Sequence, residues 1–388
     1  MRILHVIYDD LGNPWLGGGG AVRTLEIYRR IAAKGPSVTV ICGNYPGAKR
    51  REMREGIRYR RVGLSEGYVL SRLTFVARAA RLIKHGGYDI VIEDVSPFSP
   101  VASPLWTARG VPVVASVQNL SGAHASAKYG LAGWGPRLVE KPLLSLFTNF
   151  IAVSPGIAGQ LRRAASRPGN LRVIPNSVSP IFFENSEPEP PAQPPYILFL
   201  GRIDVYQKGL DRLIRDFDLF ASRVPGVELY IAGGGSSSQV AKLTRLAGAS
   251  GFAGRIRLLG PVAPAQAAEL MRGALLLAMP SRYEAWPLTA LEAGAAGLPV
   301  VGSDIVGVRD AAPAFPKGHA LLVPEGNTEE YAAALERLAT DGMLREKLGE
   351  KGREWASGFT WDALAEQQLA FYMDLTRQKP AQSGKKGI

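Results

Sequence analysis

The chain has 388 residues, of which 46% are hydrophobic and 21% charged, and it carries a net charge of +12. That length exceeds one ordinary core and suits two α/β domains, and the composition excludes a disordered or fibrous chain. No stretch approaches the ~20 apolar residues of a membrane span, and the single cysteine, Cys42, excludes an internal disulfide and points to a reducing, cytoplasmic setting.

The first residues, Met1 to Tyr8, lack the cleavage pattern of a signal peptide, and Ile3 to Tyr8 reads as a strand. Gly17 to Gly20 follow after a loop and open a helix, along which Val22, Leu25, Tyr28, Ile31 and Ala32 recur at helical spacing. Gly35 stops this helix, and Val38 to Ile41 is the next strand. Bare amides at a helix start favour a phosphate or sugar oxygen, although a simple loop would explain the glycines equally well. Their spacing is not the GxGxxG of a nicotinamide site.

Charge is concentrated next. Lys49 to Arg61 holds seven basic and two acidic residues, and Arg72, Arg78, Arg81 and Lys84 lie on one predicted helix, Val69 to Lys84. A third basic group, Arg377, Lys379, Lys385 and Lys386, falls in a tail expected to be disordered over 377–388. Two readings stand side by side: a solvated surface, or attraction to an anionic surface such as lipid head groups at the inner face of a membrane. The helix mixes its arginines with Leu70, Leu73, Phe75, Val76, Leu82 and Ile83, which also allows an amphipathic helix lying on a membrane. No aromatic-basic stripe accompanies the charge, so nucleic acid is not an expected partner.

Asp89 to Glu93, Pro112 to Val117 and Phe150 to Val153 read as buried strands. Residues 184–195 contain five prolines and read as a linker. Beyond it the α/β rhythm restarts. Strands are expected at Tyr196 to Leu200, Val227 to Ile231, Arg255 to Leu258, Leu275 to Met279, Pro299 to Val301 and Leu321 to Val323. Helices are expected at Leu210 to Ala221, Thr328 to Thr340, Met343 to Ala356 and Trp361 to Thr376. Strands alternating with helices imply two doubly wound, Rossmann-like domains, residues 1–183 and 196–360, facing a cleft, with the 361–376 helix following.

Two further features could carry chemistry. Arg202, after the strand Tyr196 to Leu200, and Lys208, at the next helix start, are two cations suited to a diphosphate. Both would stabilise the charge of a departing nucleoside diphosphate. In the segment Pro280 to Val301, Pro287 starts a helix and Gly297 ends it. Glu284 then precedes the helix and Glu292 lies about one turn inside, two acceptors suited to sugar hydroxyls. The plainer alternative is a dipole-answering carboxylate and an ordinary helix glutamate.

The chain resembles the retaining glycosyltransferases of family 4, which have the GT-B fold. The resemblance rests on Glu284 to Glu292 as an E-x7-E element and on Gly201-Arg202 with Lys208-Gly209. It also rests, in order, on the early glycines, Ala152-Val153-Ser154, Pro175-Asn176-Ser177-Val178 and Ala232 to Gly235. It implies that Arg202 and Lys208 hold the donor diphosphate, that Glu292 binds the ribose, and that Glu284 with the amides around Trp286, Pro287 and Leu288 binds the sugar. Gly18 and Gly19 would approach the donor from the N-terminal domain. The base would sit near Gly233 to Gly235 and Gly260-Pro261-Val262. The last helix would return to the N-terminal domain, and no metal would be required.

Three positions depart from the family pattern. Gln118-Asn119 stands where members often place a histidine, with His124 nearby in another register. Pro287 replaces a common glycine, and Asp310 stands where glutamate is more usual. The expected activity is transfer of a hexose from a UDP- or GDP-sugar, with retention, to a carbohydrate or lipid-linked acceptor. Two rivals stay open: a nucleotide-sugar epimerase of the same architecture, and an inactive basic binding protein.

Overall fold

A computed structural model describes residues 1–15, 18–120, 134–165, 168–184 and 192–377. The chain divides into two compact units, Met1–Asn176 with the chain from Trp361 on, and Ser177–Thr360.

The first unit is built on an eight-stranded sheet. Its strands are β1 (Arg2–Val6), β2 (Ser37–Gly43), β3 (Arg51–Arg54), β4 (Ile57–Val62), β5 (Ile90–Asp94), β6 (Val113–Val117), β7 (Asn149–Ala152) and β8 (Asn170–Val173). They lie in the order β3-β4-β2-β1-β5-β6-β7-β8. Neighbours are parallel except β3 and β4. Strands covered on both faces need apolar residues at consecutive positions. Ile3 and Leu4 are accordingly both fully buried, although they point to opposite faces. The helix Trp361–Arg377 packs on the helix Gly19–Ala33, and its Trp361, Phe371, Tyr372 and Leu375 join one core with Tyr28 and Ile31.

The basic run departs from its expected character. It forms the β3–β4 hairpin, whose turn at Glu55 (φ 49°) and Gly56 (φ 79°) has the two positive φ angles of a tight hairpin connection. Arg61 is not a surface cation. It is buried, 2.9 Å from Asp10 Oδ2 and 2.7 Å from Glu52 Oε2. Lys49, Arg50, Arg51, Arg54 and Arg58 stay exposed.

The second unit holds six parallel strands: β9 (Tyr196–Leu200), β10 (Glu228–Ala232), β11 (Ile256–Gly260), β12 (Leu276–Met279), β13 (Val300–Ser303) and β14 (Ala320–Val323). Their order is β11-β10-β9-β12-β13-β14. The direction of winding reverses between β9 and β12, and in the first unit between β1 and β5. Crevices open at such reversals, outside the carboxyl ends of the strands.

The division between units falls at Asn176 and Ser177, ahead of the proline-rich stretch. Residues 177–183, expected in the first domain, therefore belong to the second. Burial of Phe182, packing of the 3₁₀ turn Pro180–Phe182 on the helices Pro264–Gly273 and Leu288–Ala295, and a hydrogen bond from Ser177 Oγ to the Phe359 carbonyl hold them there. Residues 185–191 of that stretch lie outside the described residues, as does the tail beyond 377.

Candidate active site

The reversal between β9 and β12 brings together the two segments singled out in the C-terminal half. After β9 the chain runs through Arg202 to Lys208, and after β12 through Ser281 to Pro287. Lys208 Nζ lies 2.6 Å from Glu284 Oε1, which also accepts from Ser281 Oγ at 2.8 Å. Both charged side chains are mostly buried, 15% and 7% exposed. Arg282 clamps the loops with a two-pronged bond to Asp211, 2.7 Å on each prong, and stacks 4.7 Å over Tyr206. Its amide donates to the Gln207 carbonyl at 2.9 Å. Gly209, at φ 66°, lets the loops touch, since a Cβ there would lie 2.0 Å from the Pro280 carbonyl oxygen. Arg202 is exposed and reaches Gln207 Oε1 at 3.1 Å.

The helix Leu288–Ala295 follows Pro287, which sits at its N-cap. Its small residues have a packing reason: Gly294 lies against Gly352, and a Cβ on Gly349 would meet the Gly297 carbonyl oxygen at 2.4 Å. Such close approach to the helix Gly342–Ser357 leaves no room for larger side chains. Glu292 is thus a carboxyl on a tightly packed helix. Loss of hydration pushes its pKa up to about 7, and its carboxyl has no hydrogen-bond partner among the described residues. An uncapped helix start leaves the amides of Leu288 and Thr289 without intrahelical acceptors. The Trp286 ring is turned inward, 5.4 Å from the Phe359 ring, so that only its backbone is placed to serve a ligand. The Glu284 carbonyl approaches Gly307, where a Cβ would lie 2.0 Å away. Asp310 lies on the short helix Val306–Ala311 and is partly buried.

The three glycine turns at the ends of β9, β10 and β11 are stacked. Gly201 N donates to the Ala232 carbonyl at 3.0 Å and Gly233 N to the Gly260 carbonyl at 2.7 Å. A Cβ on Gly233, at φ 144°, would sit 1.7 Å from the Gly201 carbonyl oxygen. Gly233, Gly260 and Val262 therefore line the same strand ends as Arg202.

In the first unit, Gly18 is the N-cap of the helix Gly19–Ala33, and nothing among the described residues lies within 4 Å of where its Cβ would be. Gln118 and Asn176 lie together: Asn176 Nδ2 donates to Gln118 Oε1 at 3.4 Å. Asn176 also accepts from the buried Arg23 at 2.9 Å. Gln118 Nε2 points to Ser116 Oγ at 3.2 Å. Gly17 and His124 lie outside the described residues.

Sequence reading missed the polar residues at the β1/β5 reversal. Asp9 follows β1 and Asp94 ends β5. His5 Nε2 lies 3.6 Å from Asp94 Oδ2, and His5 Nδ1 pairs with the Tyr28 hydroxyl at 2.7 Å. Tyr28 continues to the Tyr372 hydroxyl at 2.9 Å, and Gln368 links Tyr372, at 2.7 Å, to Arg23, at 2.9 Å. Burial and the charge of Asp94 push the Asp9 pKa up to about 6. The available signal was positional: acids just past two strands that later prove adjacent.

Residues 181–355 match the family model "Glycosyl transferases group 1" and residues 18–177 match "Glycosyl transferase 4-like domain". A D-inositol 3-phosphate glycosyltransferase of Actinosynnema mirum is 30% identical over 417 residues, covering 96% of this chain and 96% of that protein. The match to the same-named protein of Kineococcus radiotolerans is 32% identical but spans about half of each, 50% of this chain and 47% of that protein. Among solved structures, a sucrose-phosphate synthase of Thermosynechococcus elongatus superposes with a TM-score of 0.79 at 22% identity, covering 97% and 99% of the two chains. Anabaena HepE, solved with UDP-glucose, superposes at 0.73 and 18% identity, covering 96% and 100%.

Proposed function

The chain belongs to the family 4-like, group 1 glycosyltransferases with the GT-B fold, and we propose that it moves a hexose from a nucleoside diphosphate sugar to a hydroxyl acceptor with retained anomeric configuration. The observation that carries this reading is the Lys208–Glu284 pair at the β9/β12 reversal, with the exposed Arg202 beside it. Lys208 and Arg202 supply two positive charges where a diphosphate would build negative charge on leaving, so the reading requires no metal. Glu284 accepts from a sugar hydroxyl while its other contacts hold it still. Glu292, unpaired and short of hydration, accepts from the ribose hydroxyls. The stacked glycines Gly233 and Gly260 offer bare backbone to the base.

UDP is the first donor to test, in keeping with the UDP-glucose held by HepE, and GDP the second. A polyhydroxylated acceptor accords with relatives named for D-inositol 3-phosphate. The exposed Val69, Leu70 and Leu73, followed along the same helix by Arg78, Arg81 and Lys84, form a surface suited to anionic lipid, which would bring a lipid-linked acceptor within reach. No helix among the described residues is long and apolar enough to cross a membrane.

The experiment is a thermal-shift screen against UDP, GDP, ADP and their sugars, followed by nucleotide release from the sugar that stabilises most. Stabilisation by one nucleotide class and slow release that Lys208→Ala suppresses are expected. Release that survives both Lys208→Ala and Glu284→Ala would sink the site assignment.

A further inference from the structure

We propose that His319 is a positioning residue for the donor: it pins the first turn of the helix Leu288–Ala295 from behind and so fixes the depth at which Glu292 meets the ribose. The inference rests on the transferase reading and adds to its donor half a residue that touches no substrate.

The first argument is position. His319 immediately precedes β14, and its side chain is wholly buried. Its backbone is anchored on the sheet, where its carbonyl accepts from the Val300 amide at 3.0 Å. The imidazole fills the seam between two helices. A Cβ on Gly294 would lie 3.2 Å from His319 Nε2, and a Cβ on Gly352, in the helix Gly342–Ser357, would lie 3.3 Å from His319 Cβ. Both glycines are bare where the histidine sits, so the ring cannot shift without meeting one helix or the other.

The second argument is the bond that the ring makes. Nε2 lies 3.2 Å from the Ala290 carbonyl oxygen. A carbonyl only accepts, so the ring proton sits on Nε2 and this nitrogen donates. Nδ1 is left as an acceptor with no hydrogen-bond partner among the described residues. Burial pulls the pKa of the ring down to about 4, which keeps it neutral, with that single proton, near neutral pH. An unmet buried acceptor costs stability, and a leucine would fill the seam without one. What the imidazole supplies and a hydrocarbon does not is the bond to Ala290.

The third argument is what that bond holds. Ala290 stands in the first turn, beside the uncapped amides of Leu288 and Thr289. Ala290 and Gly294, four residues apart, share one face of the helix, and that face meets His319. Glu292 lies two residues from each, about 200° round the axis, on the opposite face. Residues 290–295 are buried with the exception of Glu292, which is partly open. The short side chains of Ala290, Ala293, Gly294 and Ala295 build low ridges, which resist sliding and rotation less than long ones do. A directional bond in the first turn supplies the missing constraint. Without it a small shift of the helix carries Glu292 and the free amides away from the donor together.

The test measures nucleotide affinity in the full chain, with whichever of UDP, GDP and ADP stabilises the wild type most and with its 2′-deoxy form. His319→Leu should weaken the ribonucleotide about five- to tenfold, the share of one lost hydrogen bond, and the 2′-deoxy form less. His319→Gln, whose side-chain amide can reach the Ala290 carbonyl, should return the affinity to near the wild-type value. Tyr331→Phe is the stability control. It removes the bond from the Tyr331 hydroxyl to the Val301 carbonyl, 2.8 Å long, and leaves the Ala290 contact alone. It should lower the melting temperature without changing the affinity. If His319→Leu fails to fold, His319→Asn takes its place, because its shorter amide stops short of Ala290, and the same loss is expected. Equal losses in the leucine (or asparagine) and glutamine variants, equal losses for the two nucleotides, or a loss in Tyr331→Phe as large as that at His319 overturns the proposal. A wild type that binds no nucleotide instead defeats the transferase reading.

Discussion

Lys208 and Glu284, 76 positions apart, meet at 2.6 Å and join the loops that follow β9 and β12. The pair is mostly buried, so removing one member strands the other charge. Lys208→Ala should therefore lower stability by up to about 3 kcal/mol as well as abolish turnover. Combining Lys208→Met with Glu284→Leu would separate the two effects. The double variant should recover much of the lost melting temperature, because a packed apolar pair can replace a buried ion pair, but none of the turnover. Recovery of activity in that double variant would show that the pair is structural only.

Glu292 gives a pH signature. Burial raises its pKa from 4.5 to about 7, so the native state favours the protonated form. The resulting stabilisation is fully present below pH 4.5 and is lost as pH rises through about 7. It is at most about 3 kcal/mol, from 1.36 kcal/mol per pKa unit. Glu292→Gln should raise the melting temperature at about pH 8 and flatten its fall between about pH 5 and that point. The same change should weaken nucleotide binding, and 2′-deoxynucleotide should lose less than ribonucleotide. Equal losses for both would remove Glu292 from the ribose contact.

The stacked glycines make a stability prediction with its own control. At Gly233 the left-handed φ and the Gly201 carbonyl both forbid a side chain. Gly233→Ala should cost more than about 2 kcal/mol, by steric conflict and backbone strain together. Gly248, in the helix Ser237–Gly248 with nothing within 4 Å, should accept alanine and gain a few tenths to about 1 kcal/mol. Melting curves of the two variants decide it. Equal shifts would mean that the turn can open.

These predictions also mark what the sequence made legible. The strands of the second unit could be read because they are short apolar runs bounded by glycine and proline, and each expected run overlaps an observed strand. The Glu284 to Glu292 segment could be read because Pro287 and Gly297 fix the helix between them. Three things were hidden. The Lys49 to Arg61 run looked like surface because charge masks a period-two pattern, yet Ile57 and Tyr59 alternate inward and Arg61 finds Asp10. Arg72 looked like one of a helical row of cations, but three aromatic rings hold it. The unit boundary was placed at the prolines because composition marks stiffness, whereas the Ser177 bond and buried Phe182 depend on partners far along the chain.

The longest of those partnerships ties the last helix into the first unit. Arg23 is buried and held by the Pro175 carbonyl at 2.6 Å, Asn176 at 2.9 Å and Gln368 at 2.9 Å. Tyr372 and Tyr28 share a hydrogen bond in the same interior. No carboxylate among the described residues hydrogen-bonds Arg23, so burial pulls its pKa down against the more distant charge of Asp94, and its direct contacts are neutral acceptors. Tyr372→Phe removes one hydroxyl from this chain and leaves Tyr28 and Gln368 short of a partner, at a cost of about 1–3 kcal/mol. Arg23→Met should cost more, since it orphans Asn176 and Gln368 together. Because Asn176 also reaches Gln118, Arg23→Met should disturb the first-unit site as well, whereas Tyr372→Phe should act through His5 and Asp94. Amide exchange can tell these apart: Tyr372→Phe should speed exchange in the helices Trp361–Arg377 and Gly19–Ala33 and leave the second unit's β9 to β14 unchanged. Uniform acceleration across both units would mean that the network does not hold that helix locally.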